Sequence, residues 1–201
     1  YYPDSQIYSP WHIMLQKIER SQSMNEYLCR YHRILNTMID EMTSAQLDCS
    51  ISHNFIVQMI PHHRAAIEMS ESLLEHSGFK PVRCIAERII AEQSRGIDEM
   101  QNTLDCCAQV RNCPQELQEY QRCFRSVTGI MFAQMKEART TGCVAADFMR
   151  EMLPHHRGAV RMSENALQFS LCPELIPVLD NIIATQSRGI QEMEMLLRKM
   201  Q

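Results

Sequence analysis

A methionine followed closely by two adjacent histidines is the feature of this chain best suited to chemistry. Met59 precedes His62 and His63 by three and four residues, so all three side chains lie within one turn if the segment is helical. Imidazole nitrogens and thioether sulfur are soft, mixed donors that suit Cu(I) or Ag(I) better than Mg²⁺, Ca²⁺ or Mn²⁺, which prefer oxygen. The spacing therefore predicts a Cu(I) site. Because adjacent histidines diverge around a helix, a second helix must supply the remaining ligands.

The same pattern occurs again 93 residues later, as Met152, His155 and His156. The repetition continues to Gln186-Ser-Arg-Gly-Ile190, which matches Gln93-Ser-Arg-Gly-Ile97. It indicates two copies of one structural unit. A histidine on an apolar helix face is alternatively a hydrogen-bonded core residue, and a methionine there is alternatively a gap-filling core residue. The presence of the same residues in both copies favours the metal site.

Helical periodicity predicts the elements that carry the two motifs. We expect an N-terminal arm over residues 1–23, a first repeat over 24–105, a linker over 106–113 and a second repeat over 114–201. Each repeat is predicted to contain three helices, with the motif on the second, and little of the sequence is typical of strands. The fold class is therefore all-α. A chain of 201 residues can bury a core shared by both repeats in one compact domain.

Residues that begin, bend or end helices flank each motif. Ser52 or Asn54 is predicted to cap the first motif helix, and Gly78 is predicted to end it. Pro61 and Pro154 lie inside the motif helices, where each removes a backbone hydrogen bond and favours a bend. Such a bend either opens space for a ligand or is a tolerated kink.

The helix after each motif is expected to fold back and place a glutamine level with the histidines. Gln93 would then accompany the first histidine pair and Gln186 the second, where an amide can hydrogen-bond a ring nitrogen and orient the ring toward a metal. Gly96 and Gly189 interrupt these helices in both copies, which predicts a close helix approach at that level.

Antiparallel packing of the two motif helices about a pseudo-two-fold axis would create one central site shared by both repeats. We expect His63 and His156 to face one another there, together with the two motif methionines. His62 and His155 would then turn toward the glutamines.

Nine cysteines are an unusual number for a chain of this length. If the first helices of the two repeats lie antiparallel, the feasible disulfides join Cys29 to Cys143 and Cys49 to Cys123. The odd total leaves at least one thiol free or available to link subunits of a homo-oligomer. A reduced cytoplasmic protein with idle thiols is the alternative.

Composition argues against several other classes of function. A net charge of −4 with no basic block makes nucleic acid a poor candidate partner. No apolar run approaches the ~18 residues of a membrane span. The chain contains no Glu-x-x-His sequence, which di-iron enzymes with helical bundles require in pairs, so we predict a protein that is not an enzyme.

The run Phe-x-x-x-Met-Ile-Pro-His-His-x-x-Ala-Ile-x-Met, followed by Gln-x-x-x-Ile-x-x-Met, resembles the proteins catalogued as domain of unknown function 305. That ferritin-like family includes bacterial copper-binding proteins of the CopM type. The similarity covers residues 55–104 and 148–197. It implies a ferritin-like antiparallel helical bundle, an extracytoplasmic location (periplasmic, secreted or cell surface) and copper bound through Met and His. The residues that it assigns to copper are Met59, His62, His63, Met69, Met152, His155, His156 and Met162.

Two functional hypotheses follow from these patterns. The first is a protein that binds and sequesters copper as Cu(I), with the metal ion as its partner. The second is a structural protein of a cell surface or coat, whose cysteines cross-link subunits and whose His-Met face is only core.

Overall fold

Six α-helices make up the described part of the protein. The structure is a computed structural model that describes residues 10–107 and 109–200, and it contains no strand there. The all-α prediction is therefore confirmed for these residues. The helices are α1 (Pro10–Ser44), α2 (Ile51–His76), α3 (Lys80–Cys107), α4 (Pro114–Lys136), α5 (Val144–Ala166) and α6 (Ile176–Lys199). Within the same residues, no helix combines the length and the apolar character that a membrane crossing requires.

The first helix begins at Pro10, so it includes much of the segment that we expected to form an N-terminal arm. Residues 10–23 belong to α1, and residues 1–9 lie outside the described residues. Proline suits the first turn of a helix, because the amide hydrogen that it lacks would have no partner within the helix there. Pro10 therefore begins α1.

The first motif helix begins earlier than predicted, because Ser50 is its N-cap. The Ser50 hydroxyl accepts a hydrogen bond from the backbone amide of His53 at 3.3 Å. Asn54, a predicted cap, instead holds the preceding loop: its Oδ1 accepts from the Asp48 amide at 2.8 Å and its Nδ2 donates to the Asp48 carbonyl at 3.0 Å. The helix ends as predicted, with Ser77 as its C-cap.

Helices pack mainly against their neighbours in sequence. α2 packs on α1 and α3, and α5 packs on α4 and α6. Two further contacts, α2 with α5 and α3 with α6, join the two groups of three. The second of these carries ion pairs of Arg88 with Glu192 and of Arg188 with Glu92. The α2–α5 contact brings the two motifs together.

The core is rich in methionine. Ten of the 15 methionines form five pairs at the 93-residue offset, and each of the ten is at most 1% exposed. These are Met38, Met42, Met59, Met69, Met100, Met131, Met135, Met152, Met162 and Met193. Every one of them therefore fills space between helices, whatever else it does.

The side chain of Asn112 connects both halves of the molecule. Its Oδ1 accepts from the amide of Ile51, the first residue of α2, at 2.9 Å. Its Nδ2 donates to the carbonyl of Ser170, in the turn after α5, at 2.9 Å. Its own amide donates to the Cys49 carbonyl at 2.8 Å. The predicted linker is thus bonded to both motif helices or their immediate flanks.

All nine cysteines carry free thiols, so neither predicted disulfide is present. The helices α1 and α4 do run antiparallel: the Tyr31 hydroxyl donates to the Met135 carbonyl at 2.8 Å, whereas Met42 shares a cavity with Phe124. The cysteines do not match this register. Cys29 lies two residues before Tyr31. In this antiparallel register it faces the residue two after Met135, which is Glu137.

Each predicted partner therefore lies several residues beyond the position that faces the other cysteine of its pair. Cys143 comes six residues after Glu137, at the N-cap of α5. Cys49 lies beyond the end of α1, where its thiol accepts a hydrogen bond from Arg111 at 3.3 Å. Cys123 is on α4, so the predicted bond between Cys49 and Cys123 is absent for the same reason.

A buried carboxyl group distinguishes the second half from the first. Glu151 is 2% exposed, and its Oε2 accepts a hydrogen bond from the Tyr27 hydroxyl at 2.5 Å. Burial raises the pKa of Glu151 to about 8, the Tyr27 hydrogen bond opposes this shift, and the nearby Asp147 carboxylate adds to it. In the first half the equivalent residue is Gln58, which carries no charge.

The raised pKa makes stability depend on pH in a defined direction. Between the ordinary value of 4.5 and about 8, the folded chain retains a proton on Glu151 that the unfolded chain has released. We therefore expect this group to lower the free energy of unfolding as pH rises through that range, by a few kcal/mol in total. Below pH 4.5 Glu151 makes its full contribution to the free energy of unfolding.

The variant Glu151→Gln tests this expectation, because glutamine keeps an acceptor for the Tyr27 hydroxyl but does not titrate. Urea unfolding of metal-free wild type and variant should give a stability difference that grows in favour of the variant from pH 4.5 to 8. Comparing the two proteins at each pH cancels the histidine contributions. A constant difference across the range would show that Glu151 is ionised in the folded state.

Candidate metal centre

The two motif helices meet at one histidine from each. The rings of His62 and His155 stack with centroids 3.6 Å apart and planes inclined by 26°. His155 Nε2 also donates a hydrogen bond to the His62 carbonyl at 3.0 Å. Near the start of α2, Ser52 bonds to Cys172, which follows the end of α5. The motif helices therefore run antiparallel and cross at this histidine pair.

The structure reverses the predicted roles of the two histidines in each motif. We expected His63 and His156 at the centre, but His62 and His155 lie there. The two positions are ~100° apart around a helix, so turning the face that contains His62 toward α5 directs His63 to α3. His156 is directed to α6 in the same way.

Two glycines make room for the outer histidines. A Cβ added at Gly96 would lie 3.0 Å from Nε2 of His63. A Cβ added at Gly189 would lie 2.9 Å from Cδ2 of His156. The close approach predicted from these glycines is confirmed, and an imidazole ring is the group that approaches.

The two predicted partner glutamines lie in the interior without the expected bonds. Gln93 is 2% exposed and Gln186 is 4% exposed. Neither amide oxygen has a hydrogen-bond partner, and neither does the amide nitrogen of Gln93. The predicted bonds from these amides to ring nitrogens are thus not formed here, although both side chains come from the helices that cover the histidines.

Most ring nitrogens of the four histidines also lack a partner. Both nitrogens of His62 and the Nδ1 atoms of His63, His155 and His156 are buried and unpaired. With the glutamine atoms, eight polar atoms in the middle of the bundle are unsatisfied. Each such group costs about 1–3 kcal/mol when it is left unpaired in the interior. Bound water or a bound ion would satisfy such atoms.

Burial keeps the histidines uncharged. Burial lowers the pKa of His63 to about 3, and the nearby His155 lowers it further. Burial lowers the pKa of His155 to about 4, and the hydrogen bond to the His62 backbone partly opposes this shift. Burial likewise lowers the pKa of His62 and His156 well below the ordinary value. Near pH 7 every imidazole therefore has a free lone pair, which is the form that binds a metal.

The methionines divide into a near pair and a far pair. Met59 and Met152 each lie about 5 Å along the axis from the central histidine of their own helix. Met69 and Met162 lie about 10 Å from it, which is too far for a bond to an ion held by the histidines. All four are at most 1% exposed. The structure thus gathers six of the eight predicted ligands near one level of the bundle and leaves the far pair of methionines in the core.

The donors are close together but are not arranged around one point. Within residues 10–107 and 109–200, no group of three or more His, Cys, Asp or Glu side chains is placed to hold a metal ion. Stacked imidazoles present their faces to one another, whereas nitrogen lone pairs point outward in the ring plane. The donor chemistry fits Cu(I), which accepts few ligands and favours thioether and imidazole. At least one ring must turn before two nitrogens share an ion.

Sequence reasoning missed Glu151 and the contact of the histidine rings with the glycines. The signal for Glu151 is an acidic residue where the other copy of the repeat has Gln58. Its tyrosine partner comes from α1, which no local pattern indicates.

Comparison with known proteins relates the chain to one family and one solved structure. Residues 52–197 match the family model described as "Domain of unknown function (DUF305)". The chain is also similar in structure to a DUF305 fragment from Deinococcus radiodurans, with a TM-score of 0.54 and 24% sequence identity over 77% of this chain and 98% of that chain. At this identity the similarity shows a shared fold alone. No curated protein matches the chain.

Glycine substitutions test the packing of the outer histidines. The variants Gly96→Ala and Gly189→Ala each place a methyl group against a buried ring, so we expect both to lower the free energy of unfolding by about 1–3 kcal/mol. The matched control is Gly129→Ala on α4, where a Cβ would have nothing within 4 Å. There, alanine should raise stability by up to about 1 kcal/mol through its helix propensity.

Chemical unfolding of the three variants beside wild type measures these changes. Equal stabilisation by all three substitutions would contradict the ring–glycine contact, because it would mean that only helix propensity matters at these positions.

Proposed function

The chain belongs to the DUF305 family, which is described as a domain of unknown function, so we propose its function from its own buried residues: it binds and sequesters Cu(I). It acts as a binding protein and not as an enzyme. The observation that carries the proposal is the group of eight buried, unpaired polar atoms on His62, His63, His155, His156, Gln93 and Gln186.

Metal binding would give partners to unpaired polar atoms in this part of the core. Buried imidazole nitrogens without partners destabilise the fold, and coordination gives their lone pairs a bond in place of the water that they have lost. The neutral state of the rings means that no proton has to leave before the metal binds. Bound Cu(I) would add stability to the folded chain in proportion to its affinity.

The proposed ligands follow from position. His62 and His155 supply nitrogen from the two motif helices, and Met59 and Met152 supply thioether sulfur one turn away on the same helices. His63 and His156, which lie against Gly96 and Gly189, are further candidate nitrogen ligands. The glutamines on α3 and α6 would hydrogen-bond those rings that move to meet the ion. Met69 and Met162 are left out of the site because of their distance.

We also propose that the six helices are two copies of a three-helix unit in a ferritin-like bundle. The matched positions of His62 and His155, and of Gly96 and Gly189, support this view. A location outside the cytoplasm fits a protein that sequesters copper and is part of the proposal.

A second function has one observation in its favour. Five of the nine thiols are exposed, namely those of Cys29, Cys84, Cys106, Cys113 and Cys143. Exposed thiols can link subunits into a coat or surface assembly. A disulfide-linked ladder that collapses with reductant, from protein that retains no copper, would favour this function.

Competition with a chromophoric Cu(I) chelator under anaerobic conditions tests the copper proposal. We expect wild type to take up Cu(I) in preference to Zn(II). The double variant His62→Ala/His155→Ala should weaken Cu(I) binding about 100-fold or more, since it removes a nitrogen donor from each helix. The variant Met59→Leu/Met152→Leu, which keeps the volume of the side chains, should weaken it by a smaller factor.

His32→Ala is the control, because His32 is exposed and lies outside the cluster. Wild-type affinity in both double variants would refute the proposal.

Stoichiometry tests whether the two halves share the site. The contact of His62 with His155 predicts one tight Cu(I) per chain, lost when either histidine alone is changed to alanine. Two equivalent ions, each surviving substitution in the other half, would show independent sites and leave the copper function standing.

A further inference from the structure

Two cysteines differ from the rest in being buried. Cys107, the last residue of α3, is 0% exposed, and Cys172, in the turn between α5 and α6, is 1% exposed. The other seven thiols are exposed or half-buried. The two buried cysteines lie at the same end of the bundle, beside the start of α2.

Hydrogen bonds to one short segment hold the two cysteines side by side. The Ser50 hydroxyl donates to the Cys107 carbonyl at 2.7 Å, and the Cys172 amide donates to the Ser52 hydroxyl at 2.9 Å. Ser50 and Ser52 are two residues apart, so both cysteines are bonded to the same turn at the start of α2. The two thiols are also near enough for each to influence the pKa of the other.

We propose that Cys107 and Cys172 are a disulfide-forming pair that can fasten the end of α3 to the turn between α5 and α6. This pair differs from both pairings that the sequence suggested. The cross-link would enclose α4 and α5 in a covalent loop and would restrict the unfolded chain strongly, since long loops lose the most entropy.

The reaction uses a small-molecule disulfide, such as oxidised glutathione, as oxidant. One cysteine thiolate attacks a glutathione sulfur, which forms a mixed disulfide and releases one reduced glutathione. The second cysteine then attacks the protein sulfur of the mixed disulfide and releases the second. Two thiols become one disulfide, and the protons of both end on the two reduced glutathiones.

The surroundings of the pair make this reaction slow in the folded protein. Burial raises the pKa of Cys107 to about 12, and burial also raises the pKa of Cys172, whose thiol donates to Glu174 at 2.9 Å. Thiolate is scarce under these conditions, and an oxidant cannot reach the sulfurs. The bond should therefore form during folding or local opening, and once formed it should resist reduction.

Peptide mapping of the full chain tests the proposal. Protein is unfolded, refolded with oxidised glutathione and a metal chelator, and then alkylated under denaturing conditions. We expect a Cys107–Cys172 cross-linked peptide that is absent after reductant. A variant that retains only these two cysteines removes competing partners. It carries Cys29→Ser, Cys49→Ser, Cys84→Ser, Cys106→Ser, Cys113→Ser, Cys123→Ser and Cys143→Ser.

The retained pair should respond to redox conditions as a unit. Serine is a favoured N-cap, so the changes at Cys113 and Cys143 suit the starts of α4 and α5. In this background we expect a thermal midpoint about 10 °C higher after oxidation than after reduction. Adding Cys172→Ala should abolish the difference.

Two results would overturn the proposal. One is a pair of thiols that both remain alkylatable after refolding in oxidised glutathione, in wild type and in the two-cysteine variant. The other is an oxidised product in which each cysteine is joined only to glutathione or to another chain.

Discussion

The antiparallel crossing of α2 and α5 at His62 and His155 is the contact on which the rest of the arrangement depends. Two flat rings at 3.6 Å let the helices approach closely, and each outer histidine is then pressed against the helix that follows its motif. Only glycine leaves room for it there. The position of α3 and α6 is thereby tied to the crossing. The rings that we propose as copper ligands therefore also set the spacing of four helices.

The duplication is symmetric in its packing but not in its polar groups. Histidines, glycines and core methionines correspond in both halves, whereas Glu151 faces Tyr27 and the equivalent Gln58 binds the Met42 carbonyl at 3.3 Å instead. The hydroxyl of Tyr120, the counterpart of Tyr27, has no partner. Exchange of one amide for a carboxyl has thus given the second half a titrating group that the first half lacks. This difference lies one residue before the motif, in the interior, where burying a charge is costly.

Sequence periodicity was sufficient for the helices, because they depend on local spacing. It was not sufficient for the rotation of the motif helices. Adjacent histidines straddle the apolar stripe almost equally, so which one faces the centre is decided by the neighbouring helices. The disulfide prediction was wrong because the register of α1 against α4 follows from the Tyr31–Met135 contact, which no cysteine spacing reveals.

The amide of Asn112 has a consequence for how the molecule comes apart. It bonds to the start of α2 and to the turn after α5, while the Tyr27 hydroxyl of α1 reaches Glu151 on α5. Each half therefore fills hydrogen-bonding positions that belong to the other. Loss of either half would expose ring faces and leave these groups open to water. Because the halves share these bonds, they should unfold together in one transition.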